Sequence, residues 1–84
     1  EKVWNGIRVK KWPLDMQITA RKKLRMLNNS QNIADLRIPP SNRLEKLVGN
    51  LTGFHSIRIN SQWRVVFQWQ NGNALNVEIM DYHK

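Results

Sequence analysis

The sequence predicts an α+β domain in which two N-terminal helices pack on a small, mainly antiparallel sheet. Three observations carry that prediction. Residues 55–83 alternate apolar and polar side chains in short runs, the signature of half-buried strands. Residues 1–27 instead place apolar side chains three and four apart, as amphipathic helices do. Between them, residues 31–53 are rich in Asn, Pro, Gly and Ser and read as turns. At 84 residues the chain makes one domain, spanning 1–84, small enough that burial is marginal.

The first helix is expected over residues 1–9, with Val3 and Ile7 on one side. It is too short to stand without tertiary packing. Trp12-Pro13 breaks it, because the residue before Pro avoids the helical region. Pro13 suits the first turn of a second helix, and Asp15 suits the positive end of its dipole. That helix should run to about Leu27 and end in the turn-prone Asn28-Asn29-Ser30. Met16, Ala20, Leu24 and Leu27 form its core arc, while Arg21, Lys22 and Arg25 form a basic arc. No acid compensates that arc, which favours a docking surface for a polyanion over a merely solvated face.

A brief helical turn is expected around residues 32–36. Pro39-Pro40 then stops regular structure, and Ser41 or Asn42 caps another short turn through Leu44 and Leu47. The last stretch reads as three strands. One face carries Ile57, Ile59, Trp63, Val65, Phe67, Trp69, Leu75, Val77 and Ile79; the other carries Arg58, Arg64, Val66, Gln68, Asn76, Glu78 and Tyr82.

Those faces set the register, since a one-residue slip would turn every apolar side chain into water. The first turn must hold Asn60-Ser61-Gln62, which puts Ile59 opposite Trp63 and Arg58 opposite Arg64. By the same parity the second turn is Gln70-Asn71-Gly72, with Gly72 left-handed. Glu78 then faces Arg64, and Tyr82 shares their side. Two cations opposed across a ladder repel. Either an anion such as phosphate sits between them, or Glu78 neutralises a solvated face.

Net charge is +8, and a domain this basic meets a polyanion. Residues 1–46 hold 11 Lys/Arg against 4 Asp/Glu, whereas residues 47–84 hold 3 against 2. The helical half supplies the field and the sheet half a few chosen cations. Without cysteine there is neither a disulfide nor a thiolate metal site, which suits a reducing compartment. No apolar run approaches the roughly 18 residues of a membrane span, so no membrane partner is expected.

Catalytic signatures of other classes are missing: no Gly-rich phosphate loop, HExxH, CxxC or GxSxG. His55 and His83 lack metal-ligand spacing, and no cofactor is expected. Asp81-Tyr82-His83, however, ends a strand whose polar face already carries Arg58 and Arg64. That set suits phosphoryl chemistry without a metal. Arginine stabilises charge on the phosphorane, a His or acid moves protons, and an aromatic ring stacks a base.

Three runs carry a family likeness: Pro-Pro-Ser-Asn-Arg-Leu-Glu-Lys-Leu (39–47), Ser-Ile-Arg-Ile-Asn-Ser-Gln-Trp-Arg-Val (56–65) and Val-Glu-Ile-Met-Asp-Tyr-His (77–83). With Ala-Arg-Lys-Lys-Leu-Arg-Met-Leu-Asn (20–28), the chain resembles, over essentially its whole length, the HigB-type toxins. These are the "killer protein" branch of the RelE superfamily of bacterial toxin–antitoxin systems. The resemblance implies a compact, microbial RNase-like α+β fold whose usual first strand precedes Glu1 and is missing here. It also implies a cytoplasmic, ribosome-dependent endoribonuclease that cuts mRNA in the A site, by attack of the ribose 2′-hydroxyl without a metal.

On that resemblance Arg64 stabilises the phosphate and transition state, His83 is the acid or base, Tyr82 stacks on the nucleotide, and Asp81 positions its neighbours. Arg58 is added from the register as a second phosphate contact. The family's Lys-Gly-Asp-Arg loop reads Val48-Gly49-Asn50-Leu51 here, and some relatives carry His where Glu45 stands. Arg43 and Lys46 partly replace the missing cations as phosphate contacts. Arg21, Lys22 and Arg25 grip ribosomal RNA. The implied partners are the bacterial ribosome with mRNA and a cognate helix-turn-helix antitoxin of the HigA kind, with DNA reached only through that antitoxin. The alternative reading is a catalytically weak or inactive basic module of the same fold that binds RNA or an antitoxin.

Overall fold

In a computed structural model of the chain, residues 12–82 are described. The helix expected over 1–9, and His83, lie outside them. One α-helix, α1 (Leu14–Asn29), packs on a four-stranded sheet of β1 (Glu45–Lys46), β2 (Phe54–Arg58), β3 (Trp63–Gln70) and β4 (Asn73–Asp81). The strands lie in chain order, and every neighbouring pair is antiparallel. The described part is therefore α+β as expected, with one helix rather than two.

α1 starts after Pro13, whose fixed φ and missing N–H suit a helix entrance. Asp15 lies in the first turn, where its carboxylate accepts from the Met16 amide at 2.9 Å. The helix ends where Ser30 turns extended and its hydroxyl donates to the Met26 carbonyl at 2.8 Å. Met16, Ala20, Leu24 and Leu27, spaced four, four and three apart, are buried. They meet Leu36, Ile57, Ile59, Val65 and Phe67 in one core. Trp12, Trp63 and Trp69 close its margins. Trp63 and Trp69 thus serve the core, as their parity in β3 requires.

The turn-rich middle is locally tied. A 3-10 turn, Ile33–Arg37, carries a reciprocal cap: Asn32 accepts from the Ala34 amide, and Asp35 accepts from the Asn32 amide. A second 3-10 turn, Pro40–Asn42, ends at Arg43 in the left-handed region (φ 46°). The chain then reverses into β1, which pairs Glu45 with Ser56 and Lys46 with His55. The helical turn expected through Leu44 and Leu47 is therefore corrected to an edge strand. The free edge of β2 needs backbone partners, and this segment supplies them.

The β2–β3 turn matches its expected register. Arg58 pairs with Arg64 and Ile57 with Val65, while the Ile59 amide donates to the Trp63 carbonyl at 2.9 Å. Asn60 holds the turn by accepting from the Gln62 and Trp63 amides. The β3–β4 turn differs. Gln70 pairs with Asn73, leaving Asn71-Gly72 as a two-residue turn with both φ values positive (53° and 79°). Asn-Gly strongly prefers this type I′ geometry, which overrides the parity argument for a three-residue loop. The slip is absorbed by a bulge between Val66 and Gln68, opposite Asn76, whose φ is 51°.

Two expectations fall with that correction. Leu75 pairs with Gln68 on the outer face, 40% exposed, and Ala74 takes the core side opposite Trp69. Glu78 pairs with Val66 rather than Arg64, and Met80 stands opposite Arg64. Beyond the bulge the faces are as expected, with Val77 and Ile79 against the core.

Candidate active site

The outer face of the sheet is not simply wet. Ser56, Arg64 and Val66 are buried on it, because the segment running from Pro40 to Lys46 folds across its edge. Arg64 is only 8% exposed, and a guanidinium so placed must be hydrogen-bonded. Its Nε donates to the Ser56 hydroxyl at 2.8 Å. Its Nη2 donates to the backbone carbonyl of Arg43 in a short contact. Glu45 Oε1 stands 3.9 Å from Nη2, but this carboxylate is more than half exposed and the contact is long. The carbonyl and hydroxyl, rather than the ion pair, therefore hold the arginine.

Arginine has five N–H donors. Among the described residues none accepts from Nη1. Tyr82 lies beside it, with Cζ of Arg64 5.8 Å from the ring centroid. Arg58, directly opposite Arg64, adds a second cation to the same face. A third approaches from the helix. Lys23 is partly buried and donates to Asn42 Oδ1. Burial first, then Arg58 and Lys22, hold its pKa below the ordinary lysine value. Crowded cations, a guanidinium edge without a partner among the described residues, and an aromatic ring make a site suited to a phosphodiester.

The expected site residues distribute unevenly. Arg64, Arg58 and Tyr82 share one face of the sheet. Arg43 joins them through its carbonyl, while its side chain is exposed. Asp81 pairs with Trp63, which sends it to the opposite face from Arg64. There its Oδ2 accepts from Gln62 Nε2 at 3.2 Å, and the Tyr82 amide donates to the Gln62 carbonyl. Asp81 thus braces the strand end that carries Tyr82. Lys46 pairs with His55, which also directs it away from Arg64. His83 lies outside the described residues.

Arg21, Lys22 and Arg25 are all exposed on α1. Lys22 and Arg25, with Met26, Asn29, Ser30 and Asp35, line an open groove of about 420 Å³. The acid there, Asp35, is engaged by the Gln31 and Asn32 amides. The sequence analysis assigns no site role to Ser56 or Lys23, and reads Asn42 only as a cap. Ser56 was open to detection, since it lies two residues from Arg58 and shares its face. Asn42 and Lys23 had no such signal, because their contact joins distant segments.

His55 serves the core instead. Its ring stacks on Phe67 at 6.1 Å, and its Nδ1 is buried without a hydrogen-bond partner. Burial, and secondarily Lys46, push its pKa below the usual histidine value. Among the described residues no three His, Asp, Glu or Cys gather as a metal site, and no helix is long and apolar enough to cross a membrane.

Comparison with known proteins gives the geometry a context. A family model for the RelE-like toxin HigB of type II toxin–antitoxin systems matches residues 2–83. Toxin HigB-1 of Vibrio cholerae is 49% identical over 72 residues, covering 86% of this chain and 75% of that protein. An uncharacterized protein of Haemophilus influenzae is 38% identical over 73 residues, covering 87% and 71%. The Endoribonuclease HigB of Proteus vulgaris is 39% identical over 41 residues, covering 49% and 45%. The match spans nearly the whole sequence and includes Arg58, Arg64 and Tyr82, so the chain belongs to the HigB-like family of RelE-like toxins of type II toxin–antitoxin systems.

Proposed function

We propose that this chain is a ribosome-dependent mRNA endoribonuclease that stops translation by cutting mRNA in the ribosomal A site. The observation that carries the reading is Arg64: a buried guanidinium fixed at Nε and Nη2, with Nη1 unpartnered among the described residues and Tyr82 alongside. The name of the Proteus vulgaris relative supports the nuclease class.

In the proposed reaction the ribose 2′-oxygen bonds to the adjacent phosphorus, and the bond from phosphorus to the 5′-oxygen breaks. A base takes the 2′-proton and an acid protonates the departing 5′-oxygen. The products are a 2′,3′-cyclic phosphate and a 5′-hydroxyl. The nucleophile belongs to the substrate, so the step needs no metal-activated water, and the proposed chemistry is metal-independent. Arg64 stabilises charge on the phosphorane, and Arg58 contacts the same phosphate or its neighbour. Tyr82 stacks on the nucleotide, Asp81 positions the strand end, and His83 handles the proton. Arg43 and Lys46 meet flanking phosphates along the edge of the sheet. In this reading Arg21, Lys22 and Arg25 bind ribosomal RNA, and the protein acts in the bacterial cytoplasm.

A type II toxin has a cognate antitoxin; a helix-turn-helix protein of the HigA kind is the proposed partner, and through it DNA. One observation favours a second reading, a weak or inactive module of the same fold. Val48, at the position of the family's loop lysine, is 82% exposed and presents no charge. The test is an mRNA carrying a single 2′-deoxynucleotide at the cut position on programmed ribosomes. Cleavage lost at that position alone supports 2′-hydroxyl attack; cleavage retained refutes it.

A further inference from the structure

Asn42 is fully buried between the helix and the sheet edge. Its amide nitrogen donates to the Leu36 carbonyl at 3.0 Å and contacts the Met26 sulfur at 3.1 Å and the Ile38 carbonyl at 3.5 Å. Its amide oxygen accepts from Lys23. Both ends of the side chain are therefore committed, one to the loop and one to α1. A buried amide so fully engaged holds its backbone in one place.

The next residue is Arg43, left-handed at φ 46° and ψ 58°. Non-glycine residues seldom adopt this conformation without support from their surroundings. Support comes from the backbone on either side, where the Asn42 amide donates to the Pro39 carbonyl at 2.9 Å and the Arg43 amide to the Pro40 carbonyl at 3.0 Å. The left-handed turn aims the Arg43 carbonyl at Nη2 of Arg64. A continuous chain of contacts thus runs from Lys23 through Asn42 and the Arg43 carbonyl to the arginine, with Ser56 holding its other side.

We propose that Asn42 is a positioning residue for Arg64, acting through the Arg43 carbonyl, and that Lys23 completes the device from the helix. The proposal rests on the assignment of Arg64 to the reacting phosphate. It gives Arg43 a backbone role separate from that of its exposed side chain. It also gives Lys23 a reason to be partly buried beside Arg58, where its charge is disfavoured.

The test reads Arg64 directly. In 15N-labelled full chain, rotation of the Arg64 guanidinium about its Cζ–Nη bonds is measured by NMR without substrate, for the parent, Asn42→Ala, Lys23→Met and Lys23→Arg. The proposal expects rotation faster by roughly tenfold in Asn42→Ala and Lys23→Met, the loss of about one charge-assisted hydrogen bond. Lys23→Arg, which restores a donor to Asn42, should return most of that loss. Cleavage on programmed ribosomes should show kcat down about tenfold in the same two variants, with KM held within about twofold in Asn42→Ala, which keeps every cation of the site. Should Asn42→Ala fail to fold, Lys23→Met and its rescue carry the test alone. Unchanged guanidinium rotation in folded variants overturns the proposal, and so does faster rotation with unchanged kcat. A parent chain that never cleaves contradicts the nuclease assignment instead, and the rotation result still decides whether Asn42 positions Arg64.

Discussion

Arg58 and Arg64 stand directly opposite each other across β2 and β3. Like charges in that relation destabilise a ladder, so the pair stores an unfavourable interaction that an anion relieves. Inorganic phosphate or a short oligonucleotide should therefore raise the melting temperature, by linkage to the folded state. The shift should shrink in Arg58→Ala and vanish in Arg64→Ala. Differential scanning fluorimetry at low ionic strength measures it, and equal shifts in all three chains would remove the anion-site argument.

Ser56 is predicted to matter more than a small buried hydroxyl ordinarily does. Ser56→Ala leaves Nε of Arg64 without its 2.8 Å acceptor in a buried position. Leaving a buried donor unpaired costs about 1–3 kcal/mol, and more where the donor is charged. Urea denaturation should show that loss, accompanied by weaker phosphate binding. Ser56→Thr, which keeps an acceptor oxygen, should recover part of it.

The β3–β4 turn supplies an independent check of register. Gly72 has φ of 79°, and a Cβ there would meet the Gln31 carbonyl oxygen at 3.3 Å. Gly72→Ala should destabilise the fold by about 1–2 kcal/mol, from left-handed strain with a tight contact added. Asn71→Gly should be tolerated, since glycine accepts φ of 53° without penalty. Thermal unfolding of the two variants distinguishes this turn from a three-residue loop, in which Asn71 would have no need of positive φ.

His55 ties stability to pH. Its folded pKa is depressed by burial and then by Lys46, so the unfolded chain binds a proton more readily than the folded one. Stability from this group is full above the unfolded value of about 6.5 and falls as pH drops below it. Denaturation midpoints should decline between about pH 7 and 5 more steeply in the parent than in His55→Phe. Parallel slopes would mean that His55 does not feel its buried Nδ1.

Much of this architecture was legible in the sequence, because period and parity are strong signals where one face is buried. The arc of Met16, Ala20, Leu24 and Leu27 fixes the helix face, and alternation in β2 and β3 fixes the Arg58–Arg64 pairing. Alternation alone misplaces the β3–β4 register, because the strong local turn preference of Asn71-Gly72 outweighs it and Asn76 absorbs the difference in a bulge. β1 leaves no pattern in the sequence, because two residues carry no period at all. On the site, the shared face of Arg58, Arg64 and Tyr82 follows from parity. The clamp on Arg64 did not, since Asn42 and the Arg43 carbonyl reach it only through the folded loop.

The most direct test of the central claim maps 5′ ends on a reporter mRNA in a purified translation system, comparing the parent with Arg64→Ala and His83→Ala. The account predicts cuts that require ribosomes, leave 5′-hydroxyl ends and fall by about a hundredfold or more in both variants. Cuts on free mRNA, or cuts that persist when Arg64 is removed, would contradict it.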